Sequence, residues 1–316
     1  MKKVLCIGSV TTDIIVRPVD ALPDPGTSRV VENAAMYVGG CAANAANDLG
    51  KIGVPVSCAF KVGEDSFGSF VKRTMKKYNV NTDGIVTDGS VDTTCSILCV
   101  SSDGQRSYFF NPGSAAAYKK EDLDLSLIDQ NDIIFVAGAL LLYDFDGVPC
   151  SEILRYAKEK GKYTVLDTAW DSRDRWMELI EPSLPYLDLF MPSYDEAVKI
   201  AGETDLDRIA DCFFAKGAKN VIIKIGKDGA YICEENGKRY TLPTYSKYKP
   251  IDTTGAGDSF CAGFIAGLAH GLDYRTSGKI ANAVGTLCVL EVGASTGIRT
   301  WEETLQFMEE NKDQVE

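Results

Sequence analysis

Between Asp132 and Ile225 the chain keeps a steady rhythm that only a few folds can satisfy. Apolar, strand-like runs at Asp132–Ala137, Tyr163–Asp167, Leu187–Met191 and Val221–Ile225 alternate with helix-like stretches at Cys150–Lys160, Asp195–Ala201 and Leu206–Lys216. A buried strand followed by a crossover helix, repeated, is how a chain builds parallel strands. The expected fold class is therefore α/β, a mainly parallel sheet with helices on both faces. Lys3–Ser9 supplies a buried first strand, Gly40–Gly53 a helix of small residues, and Val56–Val62 with Phe67–Tyr78 a further strand and helix. Four segments do not keep the rhythm: Thr12–Val19, Arg29–Val38, Thr94–Val100 and Ser107–Asn111, the last two joined by the turn Ser102–Gln105. They predict a small separate β sheet, from about residues 12–38 and 93–112, that covers the site as a lid. The whole of residues 1–316 is then one domain with a discontinuous lid.

Composition removes several classes of function. The formal charge of −12 argues against nucleic acid or an anionic membrane as the main partner, since both are bound largely through surplus lysine and arginine. The ten cysteines contain no C-x-x-C pair, so neither zinc-ligand nor redox spacing is present, and free thiols in a chain this long suit a reducing cytoplasm. No apolar run reaches the ~18 residues needed to span a bilayer. The single histidine, His270, excludes histidine-dependent triads and multi-histidine zinc sites.

The segment Asp252-Thr253-Thr254-Gly255-Ala256-Gly257-Asp258-Ser259-Phe260 carries the chemistry. Phe260, Phe264, Ile265 and Leu268 recur at helical spacing, so Gly255 to Asp258 form the first turn of a helix whose free N–H groups point outward. Such an end binds anions, and glycine lets the backbone approach them. Asp258 is unsuited to bind a phosphate but suited to accept a proton from a hydroxyl held nearby. The dipole is expected to keep it ionised at pH 7. A capping carboxylate beside flexible glycines is the plainer alternative. No Gly-Lys pair is followed by serine or threonine, so a P-loop is absent, and Gly8-Ser9-Val10 lacks the dinucleotide fingerprint. Gly39-Gly40 at a helix start, with Asn44 one turn in, and Asp13 past the first strand are candidates to meet sugar hydroxyls. Each taken alone is more often structural.

In their order and spacing, Gly39-Gly40 with Asn44, Val62 to Gly68, Lys224 to Gly229 and Asp252 to Phe260 resemble the ribokinase-like, PfkB-type carbohydrate kinases. The resemblance spans nearly the whole chain. It implies the ribokinase-like fold and an ATP-dependent kinase that phosphorylates a hydroxyl of a sugar or sugar-like polyol. It also implies Asp258 as general base, with Gly255, Ala256 and Gly257 as the anion hole. Asp13, Gly39, Gly40 and Asn44 would hold the sugar, and Lys224, Gly226, Gly229 and Asn282 would line the nucleotide. Glu196 would reach magnesium through water, while Asp252, the Thr254 carbonyl and the loop from Gly293 to Gly297 resemble the monovalent-cation site of many members, for which potassium is a candidate.

Two departures stand out, the first at the magnesium shell and the second at the acceptor. Ser193 stands where the family usually has asparagine, and Asp167-Thr168-Ala169-Trp170 lacks the asparagine that often follows the strand-end aspartate. Trp170 could stack on a sugar face or a nucleobase, and with Tyr108-Phe109-Phe110 it keeps a nucleoside kinase of the same fold as the alternative. A non-catalytic sugar-binding relative is the second alternative, opposed by Asp258 and the diglycine. A nicotinamide oxidoreductase lacks its fingerprint. An exposed lid sheet needs its edges covered, and lid-to-lid dimerisation is one means.

Overall fold

The computed structural model describes residues 1–315. Its strands are β1 (Val4–Gly8), β2 (Thr11–Arg17), β3 (Asn33–Gly39), β4 (Val56–Gly63), β5 (Asn81–Asp88), β6 (Cys95–Val100), β7 (Arg106–Asn111), β8 (Ile133–Ala139), β9 (Tyr163–Thr168), β10 (Leu189–Phe190), β11 (Val221–Lys224), β12 (Ala230–Cys233) and β13 (Arg239–Leu242). One sheet runs in the order β13-β12-β11-β10-β9-β8-β1-β4-β5, and a second in the order β3-β2-β6-β7. From β11 to β5 the large sheet is parallel, and β12 and β13 extend it as an antiparallel edge.

Alternate residues of β1 face opposite layers, and both layers are apolar, as a parallel sheet covered on both faces requires. Val4 and Cys6 pack with Ala42, Phe260, Phe264 and Val284 of the helices Cys41–Ile52, Ala256–Ala269 and Tyr274–Val289. Leu5 and Ile7 pack with Leu154 and Phe213 of the helices Val148–Glu159 and Leu206–Ala215 on the other side. No helix among the described residues is long and apolar enough to cross a membrane.

Sequence rhythm located the strands buried on both faces, and missed β5, β12, β13 and the helices Tyr274–Val289 and Trp301–Glu310. The reason is plain in β5, an outer strand reading Asn-Thr-Asp-Gly-Ile-Val-Thr-Asp with only Ile85 buried, so it has no continuous apolar run. β3 begins at Asn33, four residues later than the expected Arg29.

Two chain segments interleave to make the small sheet. β2 pairs antiparallel with β3 and parallel with β6, and β6 pairs antiparallel with β7. One cross-strand row is Tyr37–Asp13–Ser96–Phe110, and the next row, on the opposite face, is Met36–Ile14–Ile97–Phe109. At the base of this sheet Thr94 acts as a staple. Its Oγ1 donates to Pro112 O (2.9 Å) and accepts from Ala115 N (2.9 Å), while its carbonyl accepts from Thr12 N (2.9 Å).

β1 has β4 on one side and β8 on the other, so the chain order reverses there and a crevice opens at the carboxyl ends. The backbones at this point lie very close. A Cβ on Gly8 would stand 2.0 Å from Ala137 O, and one on Gly138 would stand 2.6 Å from Ser9 Oγ.

Candidate active site

The helix carrying Asp258 begins at Ala256, preceded by Gly255 in a left-handed conformation (φ 78°, ψ 0°). A Cβ at Gly255 would come within 2.5 Å of Ala294 Cβ, so only glycine fits the turn. The Ala256 N–H makes a long bond to Thr253 O (3.3 Å), and Ser259 N starts the helical ladder at Gly255 O (2.8 Å). Between them, the N–H groups of Gly257 and Asp258 have no acceptor among the described residues, as the first turn of a helix leaves them.

Lys224, at the end of β11, reaches the same point. A Cβ on Gly257 would stand 3.5 Å from its Nζ, so the absence of a side chain there leaves the ammonium open to the helix terminus. Nζ also pairs with Asp167 Oδ1 at 2.5 Å, and both side chains are close to fully buried. Burial pushes the Asp167 carboxyl up to about 7 against the pull of Lys224, with Glu196 and Asp258 adding to the rise. The lysine is driven well above its usual range: burial opposes its charge, but Asp167 and other anionic neighbours outweigh it.

Asp258 is half-buried, and its Oδ2 accepts from Asn44 Nδ2 at 2.8 Å. Its pKa is raised above the ordinary carboxylate value. Burial is the largest cause and Glu196 adds repulsion, while Asn44, Lys224 and Cys41 pull the other way. Asp13 belongs to the same electrostatic group, pushed up to about 6 by burial and by Asp258, with Thr11 opposing. Gly39 makes room for it, since a Cβ there would stand 2.0 Å from Asp13 Oδ2. Gly40, at φ 90°, passes Val10 so closely that a Cβ would fall 2.6 Å from Val10 Cα. Asn44 Oδ1 is buried without a partner. Asp13, Asn44 and Asp258 are thus brought together across the crevice.

The other candidates are placed as follows. Glu196 and Ser193 form a capping box at the helix Tyr194–Ala201, with Glu196 Oε2 accepting from Ser193 N (3.0 Å) and Thr168 Oγ1 (2.9 Å). Gly226 (φ 62°) and Gly229 (φ 95°) bound the turn after β11, and a Cβ on Gly229 would meet Leu242 O at 2.0 Å. Asn282 donates to the carbonyls of Leu242 (3.1 Å) and Pro243 (3.0 Å), so it holds the strand end against which that turn packs. Trp170 is 52% exposed and sits edge-on to Trp176, with ring centroids 4.9 Å apart. No hydrogen bond or ring contact links Trp170 to Asp13, Asn44 or Asp258 among the described residues.

Two arrangements escaped the sequence reading. Arg106 of β7 donates to Asp252 Oδ1 (2.6 Å) and Thr254 Oγ1 (2.8 Å). Beneath the helix start at Ala256, the fully buried Asp48 accepts from Ser259 Oγ at 2.6 Å and is pushed up to about 7, mainly by burial. Asp48 in Asn47-Asp48-Leu49 carried one signal, a carboxylate inside a helix rich in small residues.

The chain is similar to several known kinases. A nucleoside kinase of Methanocaldococcus jannaschii is 28% identical over 99% of this chain and 98% of its own. A ribokinase of Haemophilus influenzae is 26% identical over 98% and 99% of the two chains. Among solved structures, Arabidopsis thaliana ribokinase complexed with ribose and ATP superposes with a TM-score of 0.85 at 22% identity, covering 97% of this chain and 98% of that one. With its ribokinase-like sheet order and a pfkB carbohydrate kinase family model matching residues 1–301, the chain belongs to the pfkB family of carbohydrate kinases, which are phosphotransferases.

Proposed function

We propose that the protein transfers the γ-phosphoryl group of ATP to a hydroxyl of a sugar or sugar-like polyol. One observation carries the reading: the unbonded N–H groups of Gly257 and Asp258, the Lys224 ammonium and the Asp258 carboxylate converge on one small volume. Phosphoryl transfer places negative charge on the equatorial oxygens, where fixed amides and a buried ammonium stabilise it without reorganising. Asp258 is then the group that takes the proton of the attacking hydroxyl. Its raised pKa suits that task better than a strongly acidic carboxylate would, because a base works best when its pKa lies near the working pH.

On the acceptor side, Asp13 offers two acceptor oxygens for vicinal hydroxyls, Gly39 and Gly40 let the chain pass close to Asp13 and Val10, and the unpartnered Asn44 Oδ1 can receive a further hydroxyl. The turn from Gly226 to Gly229 would border the nucleotide, with Asn282 supporting it from behind. Magnesium, when bound, neutralises charge between the phosphates, and Glu196 would meet its water shell. The small sheet would act as a lid over the acceptor, excluding water that could hydrolyse ATP. Its outer row holds exposed Met36, Ile97 and Phe109, an apolar stripe that a second copy of the chain would cover as a homodimer.

A nucleoside acceptor is the second reading. Phe110 lies in the same row as Asp13, on the side of the small sheet that turns to the crevice, and is exposed, so it could stack on a base. An ATP-coupled panel of sugars, polyols and nucleosides tests both. Turnover confined to nucleosides would displace the sugar reading, and no turnover with any acceptor would favour a non-catalytic relative.

A further inference from the structure

The turn just before the helix terminus already contains a positive charge. Asp252 Oδ1 accepts from Arg106 Nη2 (2.6 Å) and from Thr254 N (2.9 Å), and Oδ2 accepts from Gly293 N (3.0 Å). Thr254 Oγ1 takes the second arm of the guanidinium at 2.8 Å. The side chains of Arg106 and Asp252 are only 28% and 9% exposed, so this is no loose surface pair. The neighbouring carbonyls that a cation would also need, those of Thr254 and Ala294, face the thiol of Cys288 at 3.5 and 3.2 Å. A hard monovalent ion needs several unencumbered oxygens, and a second cation beside a half-buried guanidinium would be repelled. These residues do not fit the resident potassium ion that the resemblance implied.

We propose that Arg106 is the resident cation of this site, brought by the small sheet, and that the reaction has no monovalent-cation requirement. The inference rests on the phosphotransferase reading of Asp258 and the helix terminus. Asp252 stands three residues before the N-cap Gly255, where an uncompensated carboxylate would oppose an incoming phosphate. A planar guanidinium held by both arms cancels that charge at a fixed position, which a hydrated ammonium would do less well. Because Arg106 belongs to β7 while Asp252 and Thr254 belong to the large domain's rim, seating the sheet and completing the electrostatics of the phosphate site become the same event.

The test compares the full chain and its Arg106→Ala and Arg106→Gln variants in potassium chloride and in tetramethylammonium chloride at equal ionic strength. Phosphoryl transfer and thermal unfolding of the ligand-free protein are both read, and the second neutral variant serves if the alanine form does not fold. The wild-type rate should agree within about twofold between the two salts, whereas the neutral variants should lose about tenfold or more in tetramethylammonium and recover in potassium. Potassium should raise the melting temperature of the neutral variants selectively and leave that of the wild type equal in the two salts. A wild-type enzyme activated more than about twofold by potassium, or neutral variants with wild-type turnover in tetramethylammonium, would overturn the proposal. If no acceptor is phosphorylated, the kinase reading fails by itself. The melting arm then still decides: selective stabilisation of the wild type by potassium, or none of the variants, rejects the assignment.

Discussion

Asn44 Nδ2 and Asp258 Oδ2 stand 2.8 Å apart, joining the starts of two helices that are 214 residues distant in sequence. Because the amide donates to the carboxylate, it favours the charged form and holds down a pKa that burial raises. Asn44→Ala should therefore move the acidic limb of the pH–rate profile to higher pH. Turnover at neutral pH should fall by roughly tenfold or more, as expected for loss of a hydrogen bond to a charged group. A limb that stays in place, measured from kcat/KM against pH, would remove Asn44 from the proton-accepting arrangement.

Asp258→Asn preserves shape and removes basicity. Turnover should drop by at least about 10²-fold while ATP and the acceptor still bind, since general base catalysis commonly accounts for that much. Calorimetric titration beside single-turnover kinetics separates the two effects, and retention of more than about a tenth of the rate would refute the role.

Lys224 and Asp167 are a buried pair, so removing one partner strands the other. Lys224→Met should destabilise the fold by about 3–5 kcal/mol at pH 8. The loss should be smaller near pH 6, because Asp167, already pushed up to about 7, rises further without the lysine and takes up a proton. Adding Asp167→Asn should restore most of the stability and none of the turnover. Denaturant unfolding at the two pH values checks the first part, and the acceptor assay checks the second.

Asp48 controls a stability that depends on pH. Its carboxyl is held at about 7 in the folded chain against an ordinary value of 3.8, so the folded state binds the proton more tightly. That contribution is full below the ordinary value and disappears as pH rises through about 7. Asp48→Asn should make the protein more stable at pH 8 by roughly 1–3 kcal/mol and flatten its stability between pH 5 and 8. The Ser259 bond survives in that variant, so activity should change little. An unfolding series that declines as steeply as the wild type would place the pH dependence elsewhere.

Much of the layered sheet was legible because strands buried on both faces leave continuous apolar runs, as in Ile133 to Ala139. β5 was not, since a strand at the sheet's edge that carries Asp83 and Asp88 and buries only Ile85 looks like a loop. The helix start at Gly255, Gly257 and Asp258 could be read because helix starts have local rules. The Arg106–Asp252 pair could not be, because its partners are 146 residues apart and nothing local in Gln105-Arg106-Ser107 asks for a carboxylate. The burial that raises the Asp258 pKa was not legible for a related reason. A dipole is a property of one helix, while burial depends on everything packed around it.

The staple at Thr94 limits how the small sheet can travel. Held at one end through Ala115 and at the other by Arg106, its four strands would move as a plate with a fixed edge and a catch. Such a plate has a single soft coordinate, rotation about the pinned edge. The displacement grows along the plate, so the catch is the first contact to part and the last to form.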